Sequence, residues 1–147
     1  MNRNESNCSC ATCKMMCRTS PCFPTPKEAI SLIQRGYQDQ LQLTIYTDQK
    51  TERLHSAITP KFDQKLGCTF QNRQGLCELH SLGLKPTEGR LAHHSLADDG
   101  LRVSVCDTWE TQEGIDVIKN FPDSDQEWKN LLLLMLTNRM YVKRART

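Results

Sequence analysis

The residues best suited to chemistry are the cysteines. Eight occur in 147 residues, and five fall in one short run, Cys8-Ser9-Cys10-Ala11-Thr12-Cys13-Lys14-Met15-Met16-Cys17-Arg18-Thr19-Ser20-Pro21-Cys22. Two residues separate Cys10 from Cys13 and three separate Cys13 from Cys17, so these thiolates can converge on one ion. Soft sulfur donors suit Zn(II) and iron–sulfur clusters, and a four-cysteine tetrahedral site would be closed, structural and coupled to folding. The spacing is less regular than a doubled C-x-x-C ribbon, which leaves a cluster as open as zinc. Cys10, Cys13, Cys17 and Cys22 are the expected first ligands, Cys68 and Cys77 come next, and Cys8, Cys106 and His93 are possible substitutes. Eight thiols could fill two four-cysteine sites, or one site with spares.

Two other uses of these thiols compete with metal. A disulfide framework requires an oxidising compartment, yet Met1 to Asn7 holds no apolar run resembling a signal peptide. The longest apolar run, Leu131 to Leu136, is too short to cross a bilayer. The expectation is therefore a soluble, unexported, cytoplasmic chain with no membrane partner, in which clustered thiols bind metal. Nucleophilic catalysis needs a base beside the thiol, and nothing in the sequence places His55, His80, His93 or His94 against one, so no catalytic residue is assigned. His93 and His94 would point to opposite faces of a strand, so at most one can serve as a ligand.

The elements that must position these donors follow from pattern. At 147 residues, with 37% hydrophobic and 6% aromatic residues, the chain suits one domain with a thin core that a metal would help to hold. Thr25-Pro26-Lys27-Glu28 combines a capping box with proline at the first helical position, which predicts a helix with Ala29, Ile30 and Ile33 on one face, ended by Gly36 with Tyr37 packing back. Cys22 then precedes a helix start, where the dipole favours thiolate. Leu41 to Asp48 alternates as a half-buried strand, and Leu54 to Phe62, broken by Pro60, predicts an edge partner. Cys68 to Gln71 and Leu76 to His80, about the turn Asn72-Arg73-Gln74-Gly75, predict a hairpin that sets Cys68 opposite Cys77. Leu101 to Cys106 alternates as a third strand. A short helix is expected from Thr111, with Ile115, Ile118 and Phe121 on one side and Pro122 as its stop. A last helix follows a second capping box, Ser124-Asp125-Gln126-Glu127, and would turn Trp128, Leu131, Leu132, Met135 and Leu136 to the core.

The head cysteines, the opening Thr25-Pro26-Lys27-Glu28-Ala29, and Gly75-Leu76-Cys77-Glu78-Leu79-His80 followed by Lys85-Pro86-Thr87-Glu88-Gly89-Arg90 resemble the YkgJ-like cysteine-cluster family of zinc- or iron-chelating domains. The resemblance spans roughly residues 8 to 121 through short motifs. It departs in three places: the doubled head cysteine is replaced by the looser series Cys13, Cys17, Cys22; Lys85-Pro86 stands for an arginine–proline pair; and Gly89 stands where the family has its last cysteine. The resemblance implies chelation, with Cys106 or His93 taking over the missing ligand or that ligand being dispensable. Some related domains sit in flagellin lysine methylases that carry an iron–sulfur centre, but no defined reaction carries over.

The expected architecture is α+β: one cysteine-cluster domain over residues 8–143, with flexible termini at 1–7 and 144–147, a metal-bound head, a short antiparallel sheet and two to three packed helices. The expected function is to hold zinc or an iron–sulfur cluster, as structure or as cargo. An iron–sulfur redox or group-transfer enzyme is the alternative, and a zinc-dependent interaction or nucleic-acid module ranks third. Net charge is +2 with the signs interspersed; Lys143, Arg144 and Arg146 suit a helix C-terminus better than a phosphate backbone, and no aromatic-rich basic stretch is present to stack bases. The metal ion is thus the expected partner, nucleic acid is not expected, and the sequence leaves a protein partner open.

Overall fold

The computed structural model describes residues 22–48, 50–63, 65–86, 88, 99–123 and 125–145. Helix α1 (Pro26–Gln34) begins as the sequence requires. The Thr25 hydroxyl accepts the Glu28 N–H, the Glu28 carboxylate accepts the Thr25 N–H at 2.9 Å, and proline occupies the first turn. It ends through Gly36, whose φ of 91° lies where a side chain is disfavoured, while the Tyr37 N–H reaches back to the Leu32 carbonyl and its ring meets Phe70 edge-on. Pro26, Ala29 and Leu32 are the buried face, with Ile30 and Ile33 packed on its margin.

A 3-10 turn, Gln38–Gln40, leads into β1 (Leu41–Thr47), which pairs antiparallel with β2 (Leu54–Pro60) from Leu41 opposite Pro60 to Thr47 opposite Leu54. Asp48 closes the connection by accepting the Lys50 N–H and the Thr51 hydroxyl; the Thr51 bond first, then the Lys50 amide, lowers its pKa. Every residue of β2 after Leu54 is buried, because α1, α3 and α4 all pack against it. β2 is an edge of its two-stranded sheet, as expected, but helices cover it among the described residues. Its polar residues find partners where they can: the Thr59 hydroxyl lies 2.7 Å from that of Thr44 on β1.

Short strands β3 (Phe62–Asp63) and β4 (Gly67–Cys68) form a second ladder, and α2 (Glu78–Ser81) follows. The expected hairpin is corrected here. Cys68 faces Phe62, Cys77 bridges to Gln71, and Glu78 to Ser81 is helical, so the two cysteines do not oppose each other. The strand expected over Leu101 to Cys106 is instead helix α3 (Asp99–Asp107). A six-residue apolar alternation also fits a helix, and Val105, Cys106 and Trp109 bury at helical spacing.

Helix α4 (Gln112–Asn120) is capped by the Thr111 hydroxyl on the Gly114 N–H and buries Ile115, Val117 and Ile118. Its C-terminal carbonyls, left without intrahelical partners, are taken by a lysine: Lys129 Nζ, 5% exposed, lies 2.5 Å from the Lys119 oxygen and 2.7 Å from that of Phe121. Lys129 belongs to α5 (Gln126–Ala145). At its start the Asp125 carboxylate accepts the Trp128 N–H, while Ser124 of the expected box lies outside the described residues. Leu132 and Leu136 are buried as expected, whereas Trp128 and Leu131 are exposed. The described residues mix helix and sheet, with five α-helices in place of the expected two to three. None of these helices is long and apolar enough to cross a membrane.

One close approach ties this end of the core together. A Cβ at Gly114 would sit 2.6 Å from the Trp109 Cα and carbonyl oxygen, backbone atoms that cannot rotate aside. Helix propensity alone would make Gly114→Ala stabilising by about 1 kcal/mol. The clash should win, giving a net loss of about 1–3 kcal/mol in denaturant titrations together with a change in tryptophan fluorescence. A variant as stable as the parent would refute the contact.

Candidate metal centre

Four of the nine expected ligands lie among the described residues: Cys22, Cys68, Cys77 and Cys106. Cys8, Cys10, Cys13, Cys17 and His93 lie outside them. No three His, Cys, Asp or Glu side chains among the described residues come together as a metal-binding group. Of the cysteine-rich head, Cys22 is the member that lies among the described residues.

Cys22 is half-buried at the start of a segment held to the body at successive residues. The Phe23 N–H donates to Glu88 Oε1 at 2.9 Å. The Trp109 indole N–H donates to the Pro24 carbonyl at 2.8 Å, and Thr25 enters the reciprocal cap of α1. Phe23 and Trp109, 2% and 0% exposed, anchor this strut in the core. Cys22 lies three residues ahead of the Thr25 cap, outside the first turn where a helix dipole acts, so the dipole argument for its thiolate does not carry over.

Glu88 is the less obvious part of the arrangement. It is 5% exposed, and a buried carboxylate must be paired. Arg102 of α3 supplies both bonds, Nη2 to Oε1 at 2.7 Å and Nε to Oε2 at 3.1 Å. The guanidinium also stacks over Phe23, 4.5 Å from the ring centroid, and faces Tyr46 at 5.4 Å. Burial opposes its charge, but the Glu88 bonds outweigh this and raise its pKa above the ordinary arginine value.

Cys106, one turn along α3, is fully buried. Burial first, and then the Glu88 carboxylate, push its thiol pKa up to about 12, with Arg102 opposing. These surroundings favour the neutral thiol in the metal-free fold. Cys77 is half-buried in the loop that precedes α2.

A second buried carboxylate, Glu110, joins three elements in the same way. It accepts from Arg53 at 2.7 Å and from Arg139 of α5 at 3.0 Å, and Arg139 also donates to the Leu54 carbonyl. His55 of β2 sits beside it, Nδ1 3.8 Å from Oε1, stacked on Tyr46 and 1% exposed. Neither ring nitrogen of His55 has a hydrogen-bond partner among the described residues. Burial lowers its pKa from 6.5, and Glu110 only partly offsets this.

Sequence reasoning missed Glu88, Arg102, Trp109, Glu110, Arg53 and Arg139. One signal was present: had residues 99–107 been read as a helix, Arg102, Cys106 and Trp109 would have fallen on one face. No family model matches the chain, and no curated protein or solved structure matches it either.

Two outcomes follow. His55 is held neutral in the fold but takes a proton below pH 6.5 when unfolded, so stability should fall as pH drops below 6.5 toward the depressed native pKa. His55→Phe, which keeps the stack on Tyr46, should flatten the melting temperature between pH 7 and pH 5; an unchanged slope would assign the acid sensitivity to another group. In the folded, metal-free protein at pH 8, Cys106 should exist as thiolate in on the order of one molecule in ten thousand. Iodoacetamide should therefore modify Cys77 well before Cys106, as read by peptide mass spectrometry, and equal rates would contradict the burial.

Proposed function

We propose that this chain is a metal-binding protein that holds zinc or an iron–sulfur cluster through Cys10, Cys13, Cys17 and Cys22, as structure or as cargo, in a reducing cytoplasmic setting. The observation that carries the reading is the fixed backbone at Cys22. The Phe23 N–H donates to Glu88 and the Pro24 carbonyl accepts from Trp109, so the residues just after one end of a five-cysteine run are held against the body, which would pre-organise one ligand before the others close on an ion. The thiol density of the head and the resemblance to cysteine-cluster chelators support the same assignment. A zinc site would contribute folding free energy to the head, whereas an iron–sulfur cluster would add a reducible centre.

Protein isolated without oxygen should contain zinc, or iron with acid-labile sulfide, at one or more sites per chain by elemental analysis. An iron–sulfur cluster would also show thiolate-to-iron absorption in the visible. Replacing Cys10, Cys13 or Cys17 by serine should abolish stoichiometric metal, and chelation should lower the melting temperature. Folded protein that is colourless and metal-free under these conditions refutes the proposal.

A further inference from the structure

Glu110 ties β2 to α5 with its two oxygens divided between them. Oε2 accepts from Arg53, just ahead of β2, and Oε1 accepts from Arg139 of α5 at 3.0 Å. His55 of β2 stands beside the same Oε1, with Nδ1 3.8 Å away, too far for a hydrogen bond. The two groups beside that oxygen differ in their access to water. The His55 side chain is 1% exposed and neither of its nitrogens has a hydrogen-bond partner among the described residues. The Arg139 side chain is 23% exposed and can turn to solvent on its long stem.

Charge sets which of them holds Glu110. The charged groups that act on the ring are Asp107 at the end of α3, Glu110 beyond it, Asp48 and Arg53 in the connection between β1 and β2, and Arg139. Three carboxylates thus face two guanidiniums, so a proton on His55 balances the group. A buried imidazolium must then be paired, and Oε1 is the acceptor beside it. Two cations crowd one oxygen, and the one that can reach water gives way.

We propose that His55 is a proton-operated release for α5: when the ring is protonated, Nδ1 donates to Glu110 Oε1 in place of Arg139, and the C-terminal half of α5 loosens from β2. The other contacts of the helix stay. Lys129 holds its N-terminal half to α4, and Leu132 and Leu136 are buried, so the stretch beyond Leu136 is what moves. The switch needs no metal and stands apart from the cysteine head.

Backbone hydrogen exchange of the full chain, corrected for intrinsic pH dependence, tests this from about pH 7.5 to about pH 4.5 while NMR follows the His55 ring. As the ring is protonated, the amides of residues 137–142 should lose protection about 10-fold or more, and those of α1 should keep theirs. His55→Phe should hold the protection of 137–142 constant over the same range. Arg139→Gln should show the reduced protection at neutral pH, with no further fall in acid. Unchanged protection in the parent as the ring titrates, an equal loss in His55→Phe, or a loss spread evenly over α1 and α5 overturns the proposal. If His55→Phe does not fold, Arg139→Gln decides, and an acid-dependent loss as large as the parent's counts against the release. A ring that stays neutral until the whole chain unfolds overturns it as well.

Discussion

A carboxylate leaves water only where donors replace it, and two such groups, Glu88 and Glu110, organise this molecule. Glu88 joins the segment before α1 to α3, and Glu110 joins the start of β2 to α5. Each is met by arginine, whose planar fork can satisfy a carboxylate at more than one point and which stays charged when partly buried. A buried pair of this kind adds little net stability compared with an apolar substitute, yet removing one partner strands the other charge at a cost of about 3–5 kcal/mol. The elements these pairs join cannot slip past one another without breaking them.

That constraint explains how a chain with so few aromatics keeps a defined interior. The described core draws on α1, β1, β2, α2, α3, α4 and α5, with Phe23, Phe70, Trp109 and Phe121 spread across it. β2 lies at its centre and has helices on it where an ordinary edge strand would meet solvent. Ser56 and His55 therefore lose water without gaining hydrogen bonds from the described residues, and His55 stays neutral as a result. Lys129, by contrast, is buried with its charge spent on two helix-end carbonyls.

What the sequence made legible was local. The Thr25–Glu28 box, the Gly36 stop, the alternation in β1 and the Thr111 start each depend on a few neighbouring residues, and each is where the pattern placed it. What failed depended on contacts between distant residues. Leu101 to Cys106 alternates, but burial of Val105, Cys106 and Trp109 selects the helical period. Asn72 to Gly75 does turn, yet the Glu78 amide pairs with the Phe70 carbonyl and the chain enters a helix, so Cys68 and Cys77 part. Pairing of Glu88 with Arg102, fourteen residues on, has no local signature, because nothing in the sequence marks which acid will be buried.

The same contrast between local and distant contacts bears on the sulfur centre. Closely spaced thiols can close on an ion using only local chain, since Cys10, Cys13 and Cys17 need no tertiary structure to approach one another. Left to itself, such a loop would bind metal as a floppy peptide does, spending much of its affinity on ordering the chain. The chain just after Cys22 is held from far along the sequence, the Phe23 amide by Glu88, sixty-five residues on, and the Pro24 carbonyl by Trp109, eighty-five residues on. In the proposed site, a donor whose following residues are already held would lower the entropy lost on closure.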